Sequence, residues 1–324
     1  MKHKKINLYD LLPLIALVVL VAAFGITSQG KLFSIFNLKS ICTQSIPVII
    51  GGLGVMFVVA MGGCDLSVGA VAAVSATVGA YLGSKYGVGV MVAASTVIGL
   101  LCGALVGLLV SRLHVPSFMV TLAILIGMRG FLNVLLVAWG QVYNPAGIKG
   151  LSSFSTSVLL TVVLVIAFGY LFEKTNFGYY CKGMGENENV MKSIGVNTEK
   201  MRLIAYILSG LTAAIMGLVL ISSVGGSSST LGQFMEMKIQ MAIFLGGVLV
   251  SGGMKSKIYK LIMGSLSITV IVNGLTLSGA DGGISELVEG VLLMLILYMT
   301  IKTSDRSGKV LKQKKDAKIA SSVG

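Results

Sequence analysis

The chain has 324 residues, of which 55% are hydrophobic and only 11% charged, and it carries 42 glycines. Soluble domains run at about 25% charged residues, so this balance excludes an ordinary soluble protein and describes one integral membrane domain. The net charge of +13 does not indicate nucleic acid, because no basic run alternates with aromatics; its densest cluster, KVLKQKKDAK at 309–318, suits anionic lipid headgroups.

A membrane-spanning helix needs about 20 mostly apolar residues. Such runs are predicted at 11–28, 38–60, 66–84, 88–111, 117–138, 157–173, 203–223, 239–253, 261–279 and 284–301, the eighth being short. The first follows a basic start, MKHKK, but no clear small-residue cleavage site comes after it, so it reads as a retained anchor rather than a signal peptide. Threading ten spans from an inner N-terminus places 19 Lys and Arg in inner segments. Only Lys31, Lys39, Lys85, Lys149 and Lys238 fall outside. Positive charge favours the cytoplasmic side. The predicted fold is therefore an all-α polytopic integral membrane protein of about ten transmembrane helices with both termini cytoplasmic. A single transmembrane domain covers 1–303, with a basic cytoplasmic tail at 304–324.

Between the second and third runs stands GGCDLSVG, 62–69. Gly62 and Gly63 can break one helix, and Asp65 stands where the next begins. Its carboxylate can accept hydrogen bonds from the free N–H groups of a first turn, or it can meet a polar solute directly. Either way, an interruption within a membrane is tolerated only where it is buried in protein or lines water. Gly62, Gly63, Asp65, Ser67 and Gly69 are thus candidates for a helix break or a translocation pathway. A weak echo, GGVLVSGG at 246–253, adds Gly246 and Gly247. It fits two halves related by a parallel repeat, although chance matches are common in so glycine-rich a chain. Small residues at four-residue spacing, Ala72, Ala76 and Ala80 and then Gly99, Gly103 and Gly107, predict helix-packing faces.

HVPSFMVTL, 114–122, places Pro116 at a helix start, where its missing N–H costs nothing. Ser117 and Thr121 share a face, their hydroxyls available to the helix backbone or to a solute. Arg129 lies near mid-membrane and requires a carboxylate, backbone carbonyls or water. The longest inner segment, 173–202, contains a short helix at about 187–194 ended by Gly195, and Asn197 and Thr198 offer a cap for the seventh span. This segment is either a solvated connector or the place where a partner engages. Glu286 and Glu289 fall near the outer part of the last span.

Catalytic patterns are missing from the sequence. His3 and His114 are the only histidines, so there is no HExxH helix and no histidine-based triad. The phosphate-cradling pattern GxxxxGK[ST] does not occur either. Cys42, Cys64, Cys102 and Cys181 lack paired spacing and read as packing residues. The chain is expected to hold no catalytic, cofactor or metal site. If ATP drives its work, another subunit binds the nucleotide.

Five ordered pieces resemble one family over nearly the full length: the permease subunits of ribose and related sugar ABC importers. They are GGCDLSVG, VPSFMVTLAILIGMRG (115–130), TNFGYYCKGMGENENVMKSIGVNTEKMRLIAYILSG (175–210), LGGVLVSGG (245–253) and VNGL (272–275), which contains Asn273. The resemblance implies a ten-span permease of the bacterial plasma (inner) membrane. Two copies would sit on two cytoplasmic ATPase subunits that bind ATP-Mg, with an extracytoplasmic sugar-binding protein delivering the cargo. It also implies that GENENVMKSIGV (185–196) is a coupling helix docking on the ATPase through Gly185, Glu186, Asn187, Glu188, Asn189, Lys192 and Gly195. There are departures: the family usually has a β-branched apolar residue where Cys64 stands, small alanines near Asn189 and Val190, and often a basic residue near Glu289. The competing reading is an ion-coupled secondary transporter working through Asp65 or the Glu286/Glu289 pair.

Overall fold

The computed structural model describes residues 8–295 and 298. The N-terminal lysines, the end of the last expected span and the basic tail at 304–324 lie outside the described residues. Ten helices are bounded among them: α1 (Leu8–Thr27), α2 (Ile35–Ala60), α3 (Val68–Tyr86), α4 (Val88–Arg112), α5 (Ser117–Trp139), α6 (Phe154–Lys174), α7 (Asn176–Ser193), α8 (Thr198–Val224), α9 (Met235–Leu245) and α10 (Ile258–Leu277). A further helical stretch covers 282–295. Six of the bounded helices, α2, α4, α5, α6, α8 and α10, are long and apolar enough to cross a membrane.

Local chemistry fixes several helix starts. Ser34 accepts the Asn37 N–H at the head of α2. Asn197 accepts the Lys200 N–H at 2.9 Å and caps α8, as the sequence predicts. Each cap satisfies one of the N–H groups that a first turn leaves free.

The bundle is organised around α8, which packs on α4, α2 and α3. The small-residue faces are where it does so. A Cβ on Gly99 would overlap the Gly210 carbonyl, and one on Gly103 would overlap the Tyr206 carbonyl and lie 3.0 Å from Ile207 Cα. Gly217 meets the Ala72 backbone of α3 in the same way. Backbones this close give dispersion contact that lipid cannot replace. α2 is central, with 83% of its most apolar window buried, whereas α5 and α6 bury only 17% of theirs and turn apolar side chains outward.

Two elements differ from expectation. The eighth predicted span, 239–253, is an 11-residue helix, Met235–Leu245. At 1.5 Å per residue it covers about 16 Å, roughly half a hydrocarbon core. It stops where Gly246 lies against the backbone of Lys260 and Gly247 adopts φ +79°. The segment predicted to hold a short helix at 187–194 is helical from Asn176 to Ser193, interrupted at Asn187, whose backbone is extended (φ −162°, ψ 103°).

Candidate functional site

The first interruption joins α2 to α3. Gly62 turns the chain with φ +76°. Asp65 is buried, 3% exposed, and its two oxygens are fully engaged. Oδ1 accepts the Ser67 N–H at 3.0 Å and the Ser67 hydroxyl at 2.6 Å. Oδ2 accepts the Ser209 hydroxyl of α8 at 2.6 Å. The carboxylate thus serves the start of α3, although Ser67 rather than Asp65 holds the cap position, and it also ties α3 to α8. Nearby, the Cys64 N–H donates to Ser117 Oγ at 3.1 Å, and Tyr206 donates to the Cys64 carbonyl at 3.2 Å. Gln240 of α9 donates to the Asp65 carbonyl at 3.4 Å.

These bonds set the expected behaviour of Asp65 variants. Asp65→Asn keeps an acceptor for Ser67 and an amide that the Ser209 hydroxyl can accept, so it should retain most folded protein and activity. Asp65→Leu strands buried donors at about 1–3 kcal/mol each, and should lower the thermal stability of the purified protein sharply. Equal damage from both variants, in a melting curve and an uptake assay, would mean that the charge itself is required.

The second interruption, between α9 and α10, lies against the first. The Gly253 N–H donates to the Ala60 carbonyl at 3.0 Å. A side chain on Gly252 would overlap that same carbonyl, and one on Gly62 would come within 3.1 Å of the Ser251 carbonyl. Lys260 Nζ donates back to the Gly247 carbonyl at 3.1 Å. The two glycine-rich motifs that echo each other in sequence therefore meet in space.

α7 bears on both. A Cβ on Gly185 would overlap the Ala60 carbonyl and lie 2.6 Å from Gly253 N. Glu186 Oε1 accepts the Met254 N–H at 2.9 Å, and Glu173 of α6 accepts the Ile258 N–H at 3.1 Å. Beyond the kink, Asn187 Oδ1 accepts the Val190 N–H at 3.1 Å and starts a second short helix. Glu188 bridges Lys192 at 3.0 Å and Arg202 of α8 at 2.5 Å. Burial pushes the Glu188 carboxyl up, but Lys192 and Arg202 outweigh it and hold it below the usual carboxylate range. Asn187, Asn189, Lys192 and Gly195 are exposed, and so are the apolar side chains of Val190 (54%) and Ile194 (65%). Of the residues predicted to face a partner, Gly185 and Glu186 thus touch the two interruptions, and the others form or flank an open face.

The remaining candidates divide. Pro116 precedes α5 by one residue, and Thr121 spends its hydroxyl on the Ser117 carbonyl at 2.8 Å. Arg129 donates to two backbone carbonyls, Leu231 at 2.7 Å and Gly232 at 2.6 Å. Asn273 is buried on α10, its Oδ1 without a hydrogen-bond partner among the described residues. Glu289 pairs with Lys238 at 3.3 Å, while Glu286 is exposed. A cavity of about 220 Å³ opens beside the first interruption, lined by Gly62, Gly63, His114, Ser117, Arg202 and Tyr206 among others. Sequence reasoning missed Ser209, Gln240 and the buried Glu236. Glu236 carried a usable signal, an acid just before the apolar run that starts at 239.

Comparison with known proteins bears on this arrangement. The family model described as branched-chain amino acid transport system / permease component matches residues 37–297. The fructose import permease protein of Rhizobium meliloti is 32% identical, over 87% of this chain and 82% of its own length. The galactofuranose transporter permease protein of Escherichia coli (strain K12) is 29% identical, over 85% and 82%. The ribose import permease protein of the same strain is 29% identical, over 89% and 92%. No solved structure matches the chain significantly.

Proposed function

The chain belongs to the branched-chain amino acid transport system / permease component family, and we propose that it imports a monosaccharide-class solute, powered by a separate ATPase. It is a multi-pass protein of the bacterial inner membrane. In this reading the α7 end of the bundle faces the cytoplasm, ten segments cross the membrane and both termini lie inside. The permease works as two copies, each above an ATPase subunit that binds ATP-Mg. An extracytoplasmic binding protein presents the solute at the opposite end. The names of the three relatives, all sugar permeases, favour a polyhydroxylated solute.

One observation carries the proposal. Gly185 and Glu186 of α7 rest on both helix interruptions, while the second half of α7 presents an open face with two exposed apolar side chains. A partner seated on Asn187, Val190, Lys192 and Ile194 would move Gly185 and Glu186, and with them Ala60 and Gly253. Asp65, Ser67, Gly69, Gly246 and Gly247 then lie in the moving parts, and the lining of the 220 Å³ cavity lies on the route between them.

Glu188→Lys tests the docking half of this reading. Within the fold, the reversal loses two part-exposed ion pairs, with Lys192 and Arg202, at about 0.2–1 kcal/mol each, and sets a like charge beside both at a similar cost, so the variant should still insert and fold but melt a few degrees lower. At an interface with the ATPase it places a wrong charge, where juxtaposed like charges cost several kcal/mol. We expect normal expression, weakened recovery of the ATPase in pull-downs and loss of ATP-driven uptake. Normal uptake by Glu188→Lys, with no ATPase recovered by the wild type, would contradict the proposal.

A further inference from the structure

We propose that Arg129 is a positioning residue that fastens the unwound stretch ahead of α9, and that α5 is the strut joining that stretch to the first interruption. The inference rests on the permease reading above but not on the identity of the solute.

From Gly225 to Phe234 the chain leaves the helical hydrogen-bond ladder, with positive φ at Gly225 (+90°), Gly232 (+62°) and Phe234 (+60°). It leads directly into the short α9. Leu231 and Gly232 are buried, and buried backbone carbonyls must find partners within the protein. The Gly225 carbonyl accepts the Asn144 N–H at 3.2 Å, and the Ser227 N–H donates to the Val142 carbonyl at 2.8 Å. Ser227 Oγ also pairs with Thr77 Oγ1 at 2.5 Å. The consecutive Leu231 and Gly232 carbonyls accept Arg129 Nη1 and Nη2. On the other side α3 closes in, since a side chain on Gly69 would overlap Glu236 Oε2 and come within 2.7 Å of the Gly232 carbonyl. The unwound stretch is therefore held between Gly69 of α3 and Arg129 of α5.

The guanidinium suits this task because its donors form a rigid planar fork that can reach two neighbouring oxygens at once. Lysine offers a single nitrogen on a flexible stem. The same helix reaches the first interruption through Ser117, whose Oγ accepts the Cys64 N–H. Ser117 and Arg129 lie twelve positions apart on α5, so about 18 Å of rigid helix links the two broken regions. α5 is largely exposed along its length, so these polar joints contribute heavily to where it sits. A movement delivered to the first interruption by α7 would reach the unwound stretch through α5.

The test uses the full-length permease alone, in detergent micelles, with its four native cysteines replaced and one cysteine introduced at the buried Leu231, whose backbone carbonyl the change leaves in place. The readout is the rate of reaction with a soluble maleimide. Losing two hydrogen bonds from a charged donor should release the stretch, and Arg129→Met should raise the rate by roughly tenfold or more. Arg129→Lys should give an intermediate rate, and Phe131→Ala, an exposed change on the same helix, the parental rate. Should Arg129→Met fail to insert, Arg129→Lys carries the test by itself. A parental rate in Arg129→Met or Arg129→Lys, or an equal rise in Phe131→Ala, would overturn the clamp. Labelling requires neither ATPase nor solute, so that failure leaves the import reading standing. Conversely, absence of ATP-driven uptake by the wild type would remove the import reading without touching the clamp.

Discussion

Gly185→Val should abolish uptake while leaving the protein inserted in the membrane. The added Cβ would overlap the Ala60 carbonyl and lie 2.6 Å from Gly253 N, and both are backbone atoms that cannot swing aside. α7 must lift, and the Met254 N–H then loses Glu186 Oε1. The six helices long and apolar enough to span are untouched, since Gly185 lies in α7, outside all of them, and Asn187 and Glu188 keep their local bonds. A displacement worth about 1.4 kcal/mol already shifts a conformational equilibrium tenfold, and a backbone overlap costs more than that. The variant should retain basal ATP hydrolysis with a bound ATPase but lose its stimulation by solute-loaded binding protein. Val190→Ala, on the open face, should instead weaken ATPase binding and preserve stimulation in whatever complex forms. Wild-type stimulation in Gly185→Val would show that α7 does not act through the two interruptions.

Gly103→Leu should have the larger effect on folding. Gly103 faces the Tyr206 carbonyl and Ile207 Cα across the contact between α4 and α8, and Gly99 faces Gly210 one turn away. Any side chain there forces apart the helix that organises the bundle. Overpacking a core costs roughly 1–3 kcal/mol and occasionally more; with backbone as the obstacle, the cost here lies at or beyond the top of that range. The measurable outcome is little monodisperse protein after extraction and a strongly lowered melting temperature. Gly127→Ala on α5 is the matched control, because nothing lies within 4 Å of its Cβ position. It should melt at or slightly above the wild-type temperature. A mild melting shift in Gly103→Leu would mean that the two helices are not held by close backbone approach.

These outcomes also show which parts of the structure the sequence carried. The faces at Gly99, Gly103 and Gly107 were legible because four-residue spacing of glycines has one physical use in lipid. The first interruption was legible because an Asp beside two glycines is costly unless it serves a break. The cap at Asn197 was legible from local hydrogen bonding alone. The extent of α7 was not. NFGYYCKGMG has three glycines in ten residues, a poor helix by propensity. Its helix is stabilised by the burial of Cys181, Met184 and Met191 and by Phe177 stacking on Phe57 at 5.3 Å, contacts that no local pattern reveals. The eighth span was misplaced for a related reason. VLV at 248–250 prolongs the apolar run past the true end at Leu245, whereas Glu236 and Lys238 made the true beginning resemble a loop. The meeting of the two glycine motifs, and the bond between Arg129 and carbonyls more than a hundred residues away, are long-range facts. The sequence named the residues but could not pair them.

Transport driven by ATP bound to a partner, and not by an ion gradient, is what separates the two readings of this chain. Of the carboxylates an ion-coupled mechanism would use, Asp65 and Glu289 are engaged with Ser67, Ser209 and Lys238, and Glu286 is exposed. The most direct measurement is uptake of a panel of labelled monosaccharides into proteoliposomes holding the permease, its ATPase and the binding protein. Uptake should require ATP, require the binding protein and be unchanged by ionophores. Uptake by the permease alone, driven by an imposed proton or sodium gradient and abolished by ionophore, with no response to ATP, would contradict the ATP-driven reading.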